Sequence, residues 1–125
     1  MKPRRRVVIE SPFRATDAYT TEQHMAYLRA AMTDSLNRGE NPIASHLIFP
    51  CVLDDDNHFD RALGIQCGLE WGAFADAVAV YRDFGISLGM KLAITHYAST
   101  GKPIEYRMID EATLRLIRLR GFLLG

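Results

Sequence analysis

Short apolar runs alternate along the chain with segments in which apolar residues recur at helical spacing. Four apolar runs predict β-strands, at residues 6–10, 42–49, 77–81 and 104–109. The segments between and after them predict helices, over about residues 20–37, 60–74 and 87–100 and from about residue 111 onward. Thr20 to Gln23 resembles a capping box at the start of the first helix, and Asp110 is placed to cap the last one.

This alternation predicts an α/β fold for a single domain over residues 1–125. We expect a flavodoxin-like three-layer sandwich, in which helices cover both faces of a parallel sheet with strand order 2-1-3-4. Ligands bind such sheets at the carboxyl ends of strands one and three, where the strand order reverses. The segments that follow these two strands are 11–14 and 83–89, so the expected site lies between them.

Composition argues against several classes of protein. Fifteen Lys and Arg balance fifteen Asp and Glu, so overall charge does not point to a nucleic-acid polymer. No apolar run approaches the roughly 20 residues of a membrane span, and the basic start leads directly into a strand rather than into a leader sequence. The two cysteines and the four histidines lack metal-site spacing, so we expect no metal. We also expect no cofactor. Because no leader sequence is predicted, we expect the thiols of Cys51 and Cys67 to be reduced and buried. A cytoplasmic location, in a bacterium or in the host of a phage, is the expectation.

Two segments at the expected site carry candidate chemistry. Ser87 and Gly89 open the third predicted helix, where backbone N–H groups bind anions and glycine permits close approach. The same two residues also suit an ordinary helix cap. On the other side, Ser11 and Arg14 are candidates to hold a phosphate and Phe13 to stack on a base. The alternative is a plain strand-to-helix turn with Phe13 in the core.

These motifs resemble the core of the nucleoside 2-deoxyribosyltransferase family and its nucleotide N-glycosidase relatives. The family pattern is approximately Asp…Val…Asp…Ser-x-Gly-x-x-x-Glu…Gly-Lys-Pro. The chain matches it over 76–103, within a broader resemblance over 7–109, at Asp76, Asp83, Ser87, Gly89 and Gly101-Lys102-Pro103. The resemblance implies cleavage or transfer of the N-glycosidic bond of a nucleoside, a nucleotide or a cyclic-nucleotide phage-defence signal. It also implies that Ser87 and Gly89 hold a 5′-phosphate, and that the protein is a homo-oligomer.

Three further residues are candidates for the cleft. Asp83 lies at the ligand end of strand three, where it would bond to sugar or base or act as a general acid. His46 lies in a segment similar to the Pro-His-Leu-Leu-Phe-Pro of related small phage and bacterial proteins, although a structural histidine is the alternative. Glu70, on the second predicted helix, is a candidate to contact sugar or base, or a surface glutamate. Asp76 precedes strand three, so we expect it to serve only the turn.

The family's catalytic glutamate has no counterpart here, because its position is occupied by Ala93. In the transferases this glutamate attacks the anomeric carbon and displaces the base, which alanine cannot do. Three explanations stay open. The alanine is an engineered replacement, or the natural protein is a non-catalytic nucleotide-binding module such as a sponge or sensor, or another carboxylate such as Asp83 or Glu70 substitutes. The alignment predicts that Ala93 borders the main pocket together with Asp83 and Ser87. If Ala93 is instead packed in the sheet core, away from these two residues, the alignment is wrong and the family interpretation fails with it.

Glycines on the second predicted helix point to close packing. Gly64 and Gly68 are four residues apart, so they form a flat stripe on one helical face. Together with Trp71, this stripe predicts a packing surface between copies of the chain, in a dimer or a larger assembly.

Overall fold

The computed structural model describes the backbone of residues 2–124 and the side chains of residues 2–119. Four parallel strands form one sheet in the order β2-β1-β3-β4. The strands are β1 (Arg6–Glu10), β2 (Asn41–Ile43), β3 (Ala77–Tyr81) and β4 (Ile104–Arg107). The helices are α1 (Thr21–Asn37), α2 (Ser45–Ile48), α3 (His58–Gly72), α4 (Leu88–Ser99) and α5 (Glu111–Leu124), and a 3-10 turn (Phe49–Cys51) follows α2. The predicted α/β fold and its strand order are therefore confirmed.

Two apolar clusters cover the two faces of the sheet, because successive side chains of a strand point to opposite sides. On one face, Val7 and Ile9 of β1 pack with residues of α1 and α5, among them Leu28 and Leu114. On the other face, Val8 packs with three side chains of α4, namely Met90, Ala93 and Tyr97. β3 is buried along its whole length, as expected for a central parallel strand.

Sequence patterns place several element boundaries correctly. β1 and β3 have their predicted bounds, and Thr20 and Gln23 form the expected capping box. The prediction of a strand over 42–49 is wrong, because β2 ends at Ile43 and the chain turns into α2. Short apolar runs fit a strand or a buried helical turn equally well, and here Leu47 packs against the core from α2.

Polar contacts fix the amino-terminal edge of the sheet and the outer strand. Asp76 accepts a 2.7 Å hydrogen bond from the backbone N–H of Arg6, which confirms its structural role in the turn before β3. Arg107 and Glu40 form a buried bidentate ion pair, with both N···O distances 2.7 Å. Both cysteines are free, and Cys51 is exposed rather than buried as predicted. In the described part of the chain, no helix has the length and apolar character needed to cross a membrane.

Candidate active site

A cavity of about 240 Å³ lies at the carboxyl-terminal edge of the sheet. One wall is the end of β1 and the segment that follows it, residues 10–16, and the opposite wall is the start of α4, residues 87–90. The remaining walls come from α2, the 3-10 turn, the loop that follows it and residues 60–69 of α3. The cavity therefore lies at the point of strand-order reversal, where the topology of a parallel sheet places ligands.

Ser11 and His46 meet inside this cavity. The Ser11 Oγ and His46 Nε2 atoms are 2.9 Å apart, a hydrogen-bond distance, and Ser11 is almost fully buried. Burial lowers the pKa of His46 to about 4, so its imidazole is neutral at physiological pH. A neutral imidazole has one donor and one acceptor nitrogen, so the pair can orient a hydroxyl group or a base edge.

Phe13 and Arg14 also line the cavity, but they are held by other parts of the chain. Phe13 contacts the edge of the His46 ring, with centroids 6.4 Å apart, and is only partly buried. Arg14 pairs with two aspartates of the loop before α3, at 3.5 Å from Asp55 and 3.0 Å from Asp56. The charge of Arg14 is therefore already neutralised by the protein, whereas we expected a guanidinium free to bind a phosphate.

The start of α4 forms the opposite wall. Ser87 caps the helix, because its Oγ accepts a hydrogen bond from the N–H of Met90 at 3.2 Å. A Cβ atom added at Gly89 would meet only the Ser87 Oγ, at 4.0 Å. The protein itself therefore leaves space beside this backbone, as an anion bound to the helix start would need.

Glu10 is a cavity residue that the sequence analysis did not identify as one. It follows Val8 by two positions on β1, so its side chain leaves the sheet on the face that α4 covers. Burial raises the pKa of its carboxyl group to about 8. Burial, together with the charge of Glu10, raises the pKa of Tyr97 on α4. An acidic residue ending an apolar strand at the point of order reversal is the signal that could have revealed it.

Arg61 is a second residue that sequence patterns did not single out. It lies on the first turn of α3 and lines the cavity. Among the described side chains, no carboxylate lies within 4.0 Å of its guanidinium, unlike that of Arg14. Arg61 is therefore the cavity cation whose charge is not already neutralised by an ion pair.

The sequence of the chain matches the model of one known protein family. The model of a family described as "Domain of unknown function (DUF7768)" matches residues 5–107. The chain belongs to the DUF7768 family. The matched region of this DUF7768 protein spans all four strands and the first four helices, and so includes every cavity residue named above. No curated protein and no solved structure matches the chain.

Asp83 of this DUF7768 protein does not line the cavity, which corrects our expectation. Its Oδ2 atom accepts hydrogen bonds from the Tyr27 hydroxyl at 2.6 Å and the Ile109 backbone at 3.0 Å. Both partners belong to the apolar cluster on the face covered by α1 and α5. Asp83 therefore joins the loop after β3 to α1 and to the segment before α5, and its position serves the fold.

Ala93 is packed in the sheet core, so the expectation that it borders the pocket is also wrong. Only 7% of its surface is exposed, and its neighbours include Val8 and Tyr97. Met90, one turn earlier on the same face of α4, does reach the cavity. This placement argues against the alignment, and so against the family resemblance of this DUF7768 protein, although Ser87 and Gly89 both line the cavity.

The remaining candidates on α3 lie outside the cavity or pack within the chain. Glu70 is exposed and accepts a hydrogen bond from Gln66 at 3.2 Å, so it is a surface residue. Gly64 faces Phe49 and Leu53, and Gly68 faces Ser45, where a Cβ would come within 2.5 Å of the hydroxyl. The glycine stripe therefore accommodates the chain's own α2 region, and gives no support for packing between copies.

Proposed function

We propose that this DUF7768 protein acts on the N-glycosidic bond of a nucleoside or nucleotide, by hydrolysis or transfer. The observation that carries the proposal is the cavity itself. It combines a carboxyl group, a serine–imidazole pair and the start of a helix at the ligand-binding edge of the sheet. Carboxyl groups beside a bound sugar are the usual means of cleaving a glycosidic bond.

The dimensions of the cavity favour a small substrate. Its volume of about 240 Å³ is below the roughly 300–1,000 Å³ typical of ligand pockets. One base and one sugar suit this space better than a cyclic dinucleotide does. Phe13 supplies an aromatic surface for the base, and Ser11 with His46 supplies hydrogen bonds to it or to a sugar hydroxyl.

A phosphate on the substrate would be held between α4 and α3. Residues Ser87 to Met90 at the start of α4 line the cavity, and the open space at Gly89 permits close approach. Arg61 adds a guanidinium suited to a phosphate. This supports a nucleotide as substrate, and assigns to Arg61 the role that the sequence suggested for Arg14.

The proposal is tested by searching for a released base. The protein and its Ala93→Glu variant are incubated with nucleosides, nucleoside monophosphates and cyclic dinucleotides, and free base is measured by chromatography. Circular dichroism confirms that the variant is folded, because position 93 is buried. We expect base release from a nucleoside or its monophosphate. If neither protein releases base from any of these compounds, the proposal fails.

A non-catalytic nucleotide-binding module is the second candidate function. One observation favours it: position 93 holds a buried alanine, which cannot act as a nucleophile. This alternative predicts binding of nucleoside monophosphates in calorimetry, with no base release by either protein. Base release by either one would exclude it.

A further inference from the structure

We propose that Glu10 is the catalytic acid of this site, and that it supplies from β1 the carboxyl group that α4 lacks. The inference rests on the proposed function, since it assigns a residue and a chemical step to that reaction. It goes beyond the family resemblance, in which the carboxylate belongs to the helix.

The geometry of β1 and α4 brings Glu10 to this place. Val8 packs against Met90, Ala93 and Tyr97, and Glu10 is the next residue of β1 on the same face. Glu10 pairs in register with Val80 of β3, so it lies at the centre of the sheet, where the strand order reverses. Its carboxyl group thus enters the cavity from below the first turns of α4, next to the layer in which Ala93 is buried.

The surroundings of Glu10 favour the protonated form of its carboxyl group. Among the described residues, no donor lies within hydrogen-bond distance of its side chain and no cation pairs with it. The charge-bearing groups that line the same cavity are His46 on α2, Asp60 and Arg61 on α3, and Arg14 and Asp55, and Tyr97 on α4 is influenced by the charge of Glu10. Arg14 is neutralised by Asp55 and Asp56, and Tyr97 and His46 are uncharged at neutral pH. Desolvation is the cause of the raised pKa of the Glu10 carboxyl group, with no contribution from the charge of Arg61.

A protonated carboxyl group suits the leaving base. As the bond from the anomeric carbon to the base nitrogen breaks, its electron pair stays on the base, which takes the proton of Glu10. Water then forms a bond to the anomeric carbon, and the proton that this water loses returns to the Glu10 carboxylate. The products are free base and sugar, and the carboxyl group is restored. A buried glutamic acid of raised pKa is well suited to such proton donation.

The experiment compares the protein with its Glu10→Gln variant on two substrates. One is the nucleoside or nucleoside monophosphate that releases base, and the other is the nitrophenyl glycoside of the same sugar. Nitrophenolate leaves without protonation, so loss of the acid affects this substrate little. We expect Glu10→Gln to lower kcat by about 100-fold or more on the first substrate and far less on the second. Glu70→Gln is the matched control, because it changes an exposed glutamate outside the cavity.

The pH profile gives an independent readout. A general acid must be protonated, so kcat/KM of the unaltered protein should fall as the pH rises through about 8. The residual activity of Glu10→Gln should lack this fall. A merely structural role of Glu10 would change the rate without removing one limb of the profile.

The outcomes separate this inference from the proposed function. If the unaltered protein releases base and Glu10→Gln keeps this activity, or loses activity on both substrates equally, Glu10 is not the acid. The proposed function then still stands. If only Ala93→Glu is active, the carboxyl group belongs on α4 and Glu10 again is not the acid. If neither the unaltered protein nor Ala93→Glu releases base, the proposed function itself fails.

Discussion

Replacing Glu10 by glutamine should make the protein more stable at neutral and alkaline pH. The carboxyl group has a pKa of about 8 in the folded protein, against 4.5 when it is exposed to water. Between these two values the folded protein holds a proton that the unfolded chain has released. Stability from this group is therefore fully present below pH 4.5 and is lost as the pH rises towards 8.

The magnitude follows from proton linkage. At about 1.36 kcal/mol per pKa unit, the whole difference corresponds to about 5 kcal/mol. Between about pH 5.5 and about pH 7.5, the two titration curves give a loss of roughly 2.5 kcal/mol in the unaltered protein. The amide of glutamine does not titrate, so the variant escapes this loss. Protonation of His24 and His46 affects both proteins alike and cancels in the comparison.

Urea unfolding at these two pH values measures the effect. The stability of Glu10→Gln relative to the unaltered protein should rise by about 2.5 kcal/mol from the lower to the higher pH. Glu70→Gln, at an exposed position, should show no such rise. A change below about 0.5 kcal/mol for Glu10→Gln would show that water solvates the carboxyl well, and would refute the argument for a protonated acid.

Other changes test the rest of the site and the fold. Gly89→Ala should leave the free energy of unfolding unchanged or raise it by up to about 1 kcal/mol, because the added Cβ meets no close neighbour. Calorimetry should nevertheless show weaker binding of nucleoside monophosphates to this variant. Arg61→Gln should weaken binding of a nucleotide more than that of its nucleoside, and an equal loss would contradict a phosphate contact. Asp83→Ala should cost about 1–3 kcal/mol in urea unfolding through the lost bonds to Tyr27 and Ile109, without removing base release. Light scattering at micromolar concentration should show a dimer or larger, because Trp71 and other apolar side chains of α3 are exposed, and a monomeric mass would count against self-association.

The fold could be predicted because its signals are local. The apolar runs of β1 and β3, the capping box of α1 and the strict alternation of elements each depend on a few neighbouring residues. The prediction failed at 45–49, where a short apolar run continued as helix rather than strand. Nothing in such a run distinguishes a strand from a buried helical turn, so tertiary packing decided the outcome.

The site could be predicted only in part, because its arrangement depends on distant pairings. The rule that ligands bind at the carboxyl ends of the central strands placed Ser11, Ser87 and Gly89 correctly. The bond that removes Asp83 from the site joins residues 56 positions apart, and Arg14 is neutralised by a loop that no local pattern connects to it. Residue type alone therefore did not reveal that Asp83 lies outside the cavity or that Arg14 is held in ion pairs.

Glu10 shows what a physical criterion adds to a motif. The motif directs attention to position 93 on α4, where the chain has a buried alanine. The physical criterion is a carboxyl group that lies in the cavity and has no hydrogen-bond partner. Asp83 and Glu70 do not meet it, because both lie outside the cavity and both accept hydrogen bonds. Glu10 meets it, on the strand that faces the same layer of α4. The carboxyl group of the cavity thus comes from β1, so the absence of glutamate from α4 does not leave the cavity without a carboxyl group.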